Sequence, residues 1–309
     1  MAKGGGSMGA IWEAAERRKR VLAAHPRLAA LEAAVAQSLF ASASNGGLSA
    51  WTTAAREARN AYLLKNGIPA DYAEPRWNCS LCQDEGYVNG ASCTCREQAE
   101  LSHRFTGSRL PDMLRHQTFD KFDLKWYSAS KKAAAGMTER GYAKLAYEAS
   151  LSFVAEVLQG DNPRGLFISG GVGLGKTFLL SAICNSLIEG GVPTLYTVFS
   201  DLISDIKRSF GADERGMTES ALMEAARGVR VLILDDLGAE QVTEFVQSRL
   251  FDIVNYRRNH DLPLVASSNL SINEIGSMYG LRISSRLTEM CNPISLYGND
   301  IRLQKERQH

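Results

Sequence analysis

Apolar side chains recur at helical spacing through the first part of the chain, where Trp12, Val21, Leu22, Leu28, Leu31, Val35 and Leu39 mark an alanine-rich segment running from Ile11 to about Lys65. Asn45, Gly46 and Gly47 interrupt it, and Ser49 followed by Trp51 through Leu64 predicts a further helix that stops near Asn66-Gly67. The simplest packing is a helical hairpin, which would serve either as a small structural bundle or as a docking arm for a larger partner. From Tyr72 to about Gln98 the periodicity gives way to prolines, turn residues and closely spaced cysteines, so something other than an apolar core organises that stretch. A connecting stretch from Leu101 to Ser130 carries Phe105, Leu110, Phe119, Phe122 and Trp126 among turn residues, and a helix is predicted from about Lys131 to Leu158.

Beyond Leu158 short apolar runs alternate with helix-length segments. Gly165 to Ser169, Thr194 to Thr197, Val229 to Leu234 and Leu264 to Ser267 are strand-like, and their rhythm is that of a parallel α/β sheet. The boundaries that follow are a flexible or expression-derived tail at 1–10, where a glycine run precedes Met8, a helical region at 11–70, a cysteine-bearing element at 71–106 and a large domain at 107–309.

With 45% hydrophobic and 22% charged residues, the chain has the usage of a folded globular protein rather than a disordered or fibrous one. A formal net charge of +1 means that any nucleic-acid partner must be gripped by a local basic patch. No apolar run approaches the roughly 20 residues that cross a bilayer, and the N-terminus lacks a signal-peptide pattern, so membrane and export roles are not expected. The crowding of Cys79, Cys82, Cys93 and Cys95 is unlike a secreted disulfide framework, and a cytoplasmic setting is expected.

The run Gly170, Gly171, Val172, Gly173, Leu174, Gly175, Lys176, Thr177 matches the phosphate-binding loop G-x-x-x-x-G-K-[ST], and it follows a strand-like run and opens a helix-like one. Glycines let backbone N–H groups turn towards phosphate oxygens, and the helix N-terminus adds its positive dipole end. Lys176 is expected to reach the β- and γ-phosphates of ATP, and Thr177 to ligate Mg²⁺. A structural glycine turn would give no reason for Lys176-Thr177. Val231 to Leu234 leads into Asp235-Asp236, the form of a Walker B strand. Asp235 would hold Mg²⁺, Asp236 would orient or polarise the attacking water, and Glu240 is a nearby alternative.

Cys79-x-x-Cys82 and Cys93-x-Cys95 flank a loop containing Asp84, Gly86, Asn89 and Gly90 that can fold back and bring four thiolates around one ion. Zn²⁺ in a closed structural site is the expectation, with an iron–sulfur cluster or paired disulfides as alternatives and His103 as a substitute ligand. Cys184 and Cys291 stand apart and read as buried thiols.

The phosphate loop and Asp235-Asp236, together with Ala266-Ser-Ser-Asn269 and Gly280-Leu-Arg282-Ile-Ser-Ser-Arg286-Leu, resemble the AAA+ ATPase domain of DnaC/DnaI-type bacterial or phage helicase loaders. The transposition helper IstB shares the set. The resemblance covers about Leu110 to the C-terminus and implies an AAA+ P-loop NTPase, a parallel sheet flanked by helices, preceded by a small helical and zinc-binding region. By that likeness Asn269 stands at the sensor 1 position and contacts the γ-phosphate or lytic water. Arg286 matches the arginine finger that reaches a neighbouring subunit's ATP, which implies self-association. Arg282, one helical turn earlier, would share that role or pair with an acid, and Arg302 lies at sensor 2. Many AAA+ proteins have Glu where Asp236 stands.

The segment from Val198 to Arg227 looks like the helical insertion of initiators and loaders, which in that family faces single-stranded DNA. Lys207 and Arg208 beside Phe210 supply phosphate contacts and a stacking ring, and Thr243 and Phe245 match a second DNA-contacting stretch of the family. A cysteine-ligated zinc element ahead of the ATPase also resembles DnaI-type and phage loaders. The resemblance thus implies a slow, assembly-dependent ATPase that uses ATP, Mg²⁺ and Zn²⁺ and loads a DnaB-type replicative helicase onto single-stranded DNA. The alternative is an IstB-like transposition helper that binds duplex DNA and a transposase. A nearly non-hydrolysing nucleotide-dependent adaptor is a third reading, and a metabolic kinase would have no need of Arg286 or the insertion.

Overall fold

The computed structural model describes residues 7–44, 50–104, 114–133, 136–210 and 218–306. The expected break at Asn45 to Gly47, the apolar Phe105 and Leu110, the side chain of His103 and the 211–217 part of the insertion lie outside the described residues. The chain divides into two compact units, residues 1–93 and 94–309.

In the first unit, α1 (Ser7–Ala24), α2 (Pro26–Ser44) and α3 (Ala50–Lys65) are followed by a two-stranded hairpin of β1 (Tyr87–Val88) and β2 (Ala91–Ser92). α1 begins inside the stretch read as a tail. The first helical segment is also divided at His25, a break the apolar spacing did not reveal. Pro26 opens α2, where its missing N–H is harmless, and its ring disfavours helical backbone in the residue before it. α2 and α3 pack as a hairpin, with the buried Thr52 hydroxyl donating to the Ser38 carbonyl at 3.3 Å. Leu28, Leu63 and Tyr72 form the apolar centre. Glu32 ties the helices together by accepting from Arg18 at 2.7 Å, Arg59 at 3.2 Å and the Tyr72 hydroxyl at 2.8 Å.

The second unit opens with α4 (Thr94–Arg104) and continues through short 3₁₀ turns to α5 (Glu139–Leu158). The helix predicted from Lys131 starts at Glu139 instead. Lys132 and Thr138 form a β-bridge, and the Thr138 hydroxyl caps the helix by accepting from the Gly141 N–H at 3.1 Å. There follow β3 (Gly165–Gly170), α6 (Lys176–Glu189), β4 (Thr194–Val198), α7 (Phe199–Ser209), α8 (Glu219–Gly228), β5 (Val231–Leu237), α9 (Glu244–Asn259), β6 (Leu264–Ser268), α10 (Ile272–Tyr279), α11 (Leu281–Met290), β7 (Cys291–Leu296) and α12 (Ile301–Glu306).

The larger sheet is five-stranded and parallel, in the order β4-β5-β6-β3-β7. Both its faces are covered, which explains why its inner strands read as unbroken apolar runs. Phe167, Leu232, Leu234 and Ala266 face α7 to α11, while Leu166, Ile168, Ile233 and Val265 face α5 and α6. The sequence pattern did not reveal β7, because Asn292, Pro293 and Ser295 dilute its apolar content; proline is tolerated there because β7 is an edge strand. The opposite edge, β4, is capped by a side chain: the Gln98 amide donates to the Thr194 carbonyl at 2.9 Å and accepts from its N–H at 2.8 Å. No helix among the described residues is long and apolar enough to cross a membrane.

Candidate functional site

The phosphate loop joins β3 to α6 at the carboxyl end of the sheet, where parallel strands leave a crevice for ligands. The loop lines a cleft of about 730 Å³, together with Asp235, Asp236, Ser267, Asn269 and Arg302. Its tight course depends on glycine at two places. At Gly173 (φ +72°) an added Cβ would lie 1.9 Å from the Asp300 carboxylate, and at Gly175 (φ +84°) it would lie 3.0 Å from the Tyr127 hydroxyl. The same surroundings brace the loop: the Tyr127 hydroxyl donates to the Leu174 carbonyl at 2.7 Å, and the N–H of Ile301, next to Asp300, donates to the Gly173 carbonyl at 3.0 Å.

Lys176 opens α6 with its side chain buried, and its ammonium donates to the carbonyls of Gly170 and Gly171, each at 2.8 Å, and to Asn269 Oδ1 at 2.7 Å. Burial pulls its pKa down, Asp236 and Asp235 push it back up, and Arg302 lowers it. The influence of Arg302 agrees with its place in the cleft. Asn269 follows β6, and its amide orientation is set from both sides: Oδ1 accepts from Lys176 while Nδ2 faces Asp236 Oδ1 at 3.4 Å.

Asp235 and Asp236 lie near the end of β5, where its pairing with β6 is irregular between Leu234 and Leu237. Asp236 has φ +55°, an uncommon value for a residue other than glycine, and it marks this turn as over-determined by its surroundings. Its N–H donates to Asp235 Oδ1 at 3.1 Å and to Ser267 Oγ at 3.0 Å. Asp235 is buried, and it also accepts from the Ser267 hydroxyl and, at 2.5 Å, from the Tyr196 hydroxyl. Tyr196 pairs with Ile233 across β4 and β5, so Asp235 is its diagonal neighbour on the same face. Burial, and then the Asp235 charge, push the Tyr196 phenol far up, so it remains a donor. Thr177 and the two carboxylates share the cleft and form an all-oxygen donor set that suits Mg²⁺, which keeps several of its waters. Glu240 lies just beyond, with its carboxyl oxygens buried and its pKa raised by burial and by Asp236; it does not line the cleft.

Arg282 and Arg286 lie on α11 and do not line this cleft. Arg286 is partly exposed, 3.5 Å from Glu289. Lys207 and Phe210 lie at the end of α7, both exposed. The Phe210 ring, 60% exposed, meets Phe245 edge-on with centroids 5.7 Å apart, and the Arg249 guanidinium lies 5.0 Å from the centre of the Phe245 ring. Two residues proposed from separate stretches are thus neighbours. Arg208 is paired with Asp205. The exposed Thr243 caps α9 by accepting from the Val246 N–H at 3.3 Å.

Sequence reasoning passed over Tyr127, Tyr196 and Gln117, which bear on the cleft from outside any motif, and gave no role to Ser267 inside the Ala266 to Asn269 run. Their only local signal is polarity at positions that are otherwise apolar or loop-like.

Cys79, Cys82, Cys93 and Cys95 bring their sulfurs within 4.8 Å of one another, and Cys79 and Cys93 stand 3.8 Å apart. A tetrahedral shell with Zn–S bonds of about 2.3 Å places its sulfurs about 3.8 Å apart, so the donor set fits one Zn²⁺. None of the four is in a disulfide. The loop between them turns tightly enough to bring the two pairs together, because Gln83, Asp84 and Gly86 take positive φ. The Gly86 N–H points at Cys82 Sγ at 3.2 Å and the Asp84 carboxylate accepts from the Cys79 N–H at 2.8 Å, which holds the first pair, while the Cys93 N–H donates to the Gly86 carbonyl at 2.8 Å and ties the second pair to it.

A five-stranded parallel sheet in this order, with a phosphate loop after β3 and paired acids ending β5, defines an AAA+ P-loop nucleotide-binding domain. The crystal structure of DnaI has the same fold, with a TM-score of 0.50 and 24% identity over 67% of this chain and 99% of that one. The family described as IstB-like ATP binding protein matches residues 87–309, and the chain belongs to it. Among its relatives, the phage-like element PBSX protein XkdC of Bacillus subtilis (strain 168) is 26% identical over 72% of this chain and 83% of its own length. The replicative helicase loader DnaI of the same organism is 25% identical over 75% of this chain and 81% of its own.

Proposed function

We propose that this protein is an ATP-controlled loader of a DnaB-type replicative helicase onto single-stranded DNA. The observation that carries the reading is the likeness to the helicase loader DnaI, which runs over most of both chains. The helical region 11–70 and the cysteine element 71–106 hold the helicase in this reading, and exposed Trp12, Trp51 and Leu64 offer apolar surface for it. The domain 107–309 grips DNA through Lys207, Phe210 and Phe245, while Thr243 orders the start of α9 beside them.

ATP occupies the cleft with its phosphates on the loop from Gly170 to Thr177, held by Lys176 and by Arg302. When bound, Mg²⁺ neutralises developing phosphate charge, with Thr177 and Asp235 as its protein holders. Asp236 and Asn269 orient the attacking water. Arg286, outside its own cleft, serves the ATP of a neighbouring copy, so turnover is slow in the lone protein and rises on assembly.

The test is helicase loading onto circular single-stranded DNA with the helicase from the same source. Loading that needs this protein and ATP supports the reading, and loading unchanged by its omission contradicts it. The family's IstB-like character favours a second reading, a transposition helper. Preference for duplex over single-stranded DNA, with a transposase as partner, would select it.

A further inference from the structure

Gln117 lies in the cleft but takes no part in holding phosphate or metal. It follows the short turn Leu114–His116, and its side-chain carbonyl Oε1 is buried and accepts no hydrogen bond from the described residues. A buried amide acceptor left unpaired is a net cost to the fold, which natural structures tolerate rarely. An apolar side chain of the same length would avoid that cost.

The position of Gln117 is fixed by the nucleotide site itself. Asn185 on α6 donates its side-chain amide towards the carbonyls of Leu114 at 3.1 Å, Arg115 at 3.4 Å and Gln117 at 2.9 Å. The helix that begins with Lys176 at the phosphates therefore holds the loop that presents Gln117. Around it the cleft wall is aromatic. Phe122 packs against Phe178 and Tyr147, each with ring centroids 5.7 Å apart, and against Tyr127 at 5.9 Å. Phe122, Tyr127 and Phe178 all line the same cleft as the phosphate loop. An aromatic wall with a side-chain amide beside it suits a purine ring with a polar edge to be read.

We propose that Gln117 selects the base: on nucleotide binding its side chain turns into the cleft it lines, where Oε1 accepts a hydrogen bond from the exocyclic amino group of adenine and Nε2 donates to the neighbouring ring nitrogen. Adenine presents a donor beside an acceptor, which a side-chain amide matches with two bonds. Guanine carries a carbonyl where adenine has that amino group. This inference rests on the reading of the cleft as an ATP site and adds what distinguishes ATP from other triphosphates.

The test measures displacement of a fluorescent ATP analogue by ATP and by purine riboside triphosphate, which has hydrogen in place of the amino group. The wild type, Gln117→Leu and Gln117→Glu are compared, with melting temperatures of the unliganded proteins alongside. The wild type should prefer ATP by about tenfold, the range of one well-placed side-chain contact to a base. Gln117→Leu should lose that preference by weakening ATP alone, and Gln117→Glu, which retains an acceptor, should keep it. If Gln117→Leu weakens both nucleotides equally, or the wild type does not discriminate between them, base selection by Gln117 is overturned while ATP binding stands. A wild type that binds neither triphosphate overturns the ATP reading and this inference together.

Discussion

Tyr196→Phe removes one oxygen atom from the protein, and its expected effect is confined to the metal-dependent part of nucleotide binding. The hydroxyl donates to Asp235 Oδ2 at 2.5 Å, and Asp235 is 3% exposed, so no water easily replaces the lost donor. Oδ1 keeps its bonds from the Ser267 hydroxyl and from the Asp236 N–H, so the carboxylate stays in place but gains freedom to turn. The ring remains packed in the core between the sheet and α6, which preserves the fold. A hydrogen bond to a charged acceptor contributes roughly 1.5–3 kcal/mol. If its purpose is to aim Asp235 at Mg²⁺, losing it should weaken Mg²⁺-dependent ATP binding by roughly 10- to 100-fold, the usual range for partners behind a metal ligand. The assay is ATP affinity with Mg²⁺ and with EDTA, for wild type and variant. Affinity in EDTA should be unchanged, because the loop from Gly170 to Thr177 is untouched. Equal loss with and without Mg²⁺, or no loss in either, would refute the assignment of Asp235 and Tyr196 to the metal.

Two further outcomes follow from the same geometry. Metal analysis of the purified protein should find about one zinc per chain, held by four thiolates, and Cys79→Ser should lower that content and the melting temperature together; a metal content unchanged by the substitution would remove Cys79 from the site. Phe210→Ala should weaken binding to single-stranded DNA by about 5- to 150-fold, the range of one stacked base at about 1–3 kcal/mol, and leave ATP affinity alone, whereas unchanged DNA affinity would make the Phe210–Phe245 pair a packing feature only.

Much of the candidate nucleotide site was legible because its chemistry is local. Glycines, Lys176 and Thr177 must be consecutive to wrap a phosphate, and Asp235-Asp236 must end a buried strand, so one stretch of chain carries each signal. The inner strands were legible for a related reason: covered on both faces, they are apolar throughout. β7 escaped because an edge strand can carry Asn292 and Pro293, and the break at His25 escaped because apolar spacing continues across it. The partners that tune the site were hidden for a different reason. Tyr196 meets Asp235 across 39 positions and Tyr127 meets Leu174 across 47, contacts that exist only after the sheet has formed. The pairing of Phe210 with Phe245 is likewise a product of folding, since α7 and α9 are brought together by the sheet and not by proximity in the chain.

In the loader proposed above, ATP turnover belongs to an assembly and is completed by an arginine from a neighbouring copy. The most direct measurement is ATP hydrolysis by wild type and Arg286→Ala, each alone and with single-stranded DNA and a DnaB-type helicase from the same source. DNA and helicase should change the wild-type rate, and Arg286→Ala should abolish turnover while the variant still binds ATP. A rate indifferent to both partners and unchanged in Arg286→Ala would contradict the loader and the shared arginine alike.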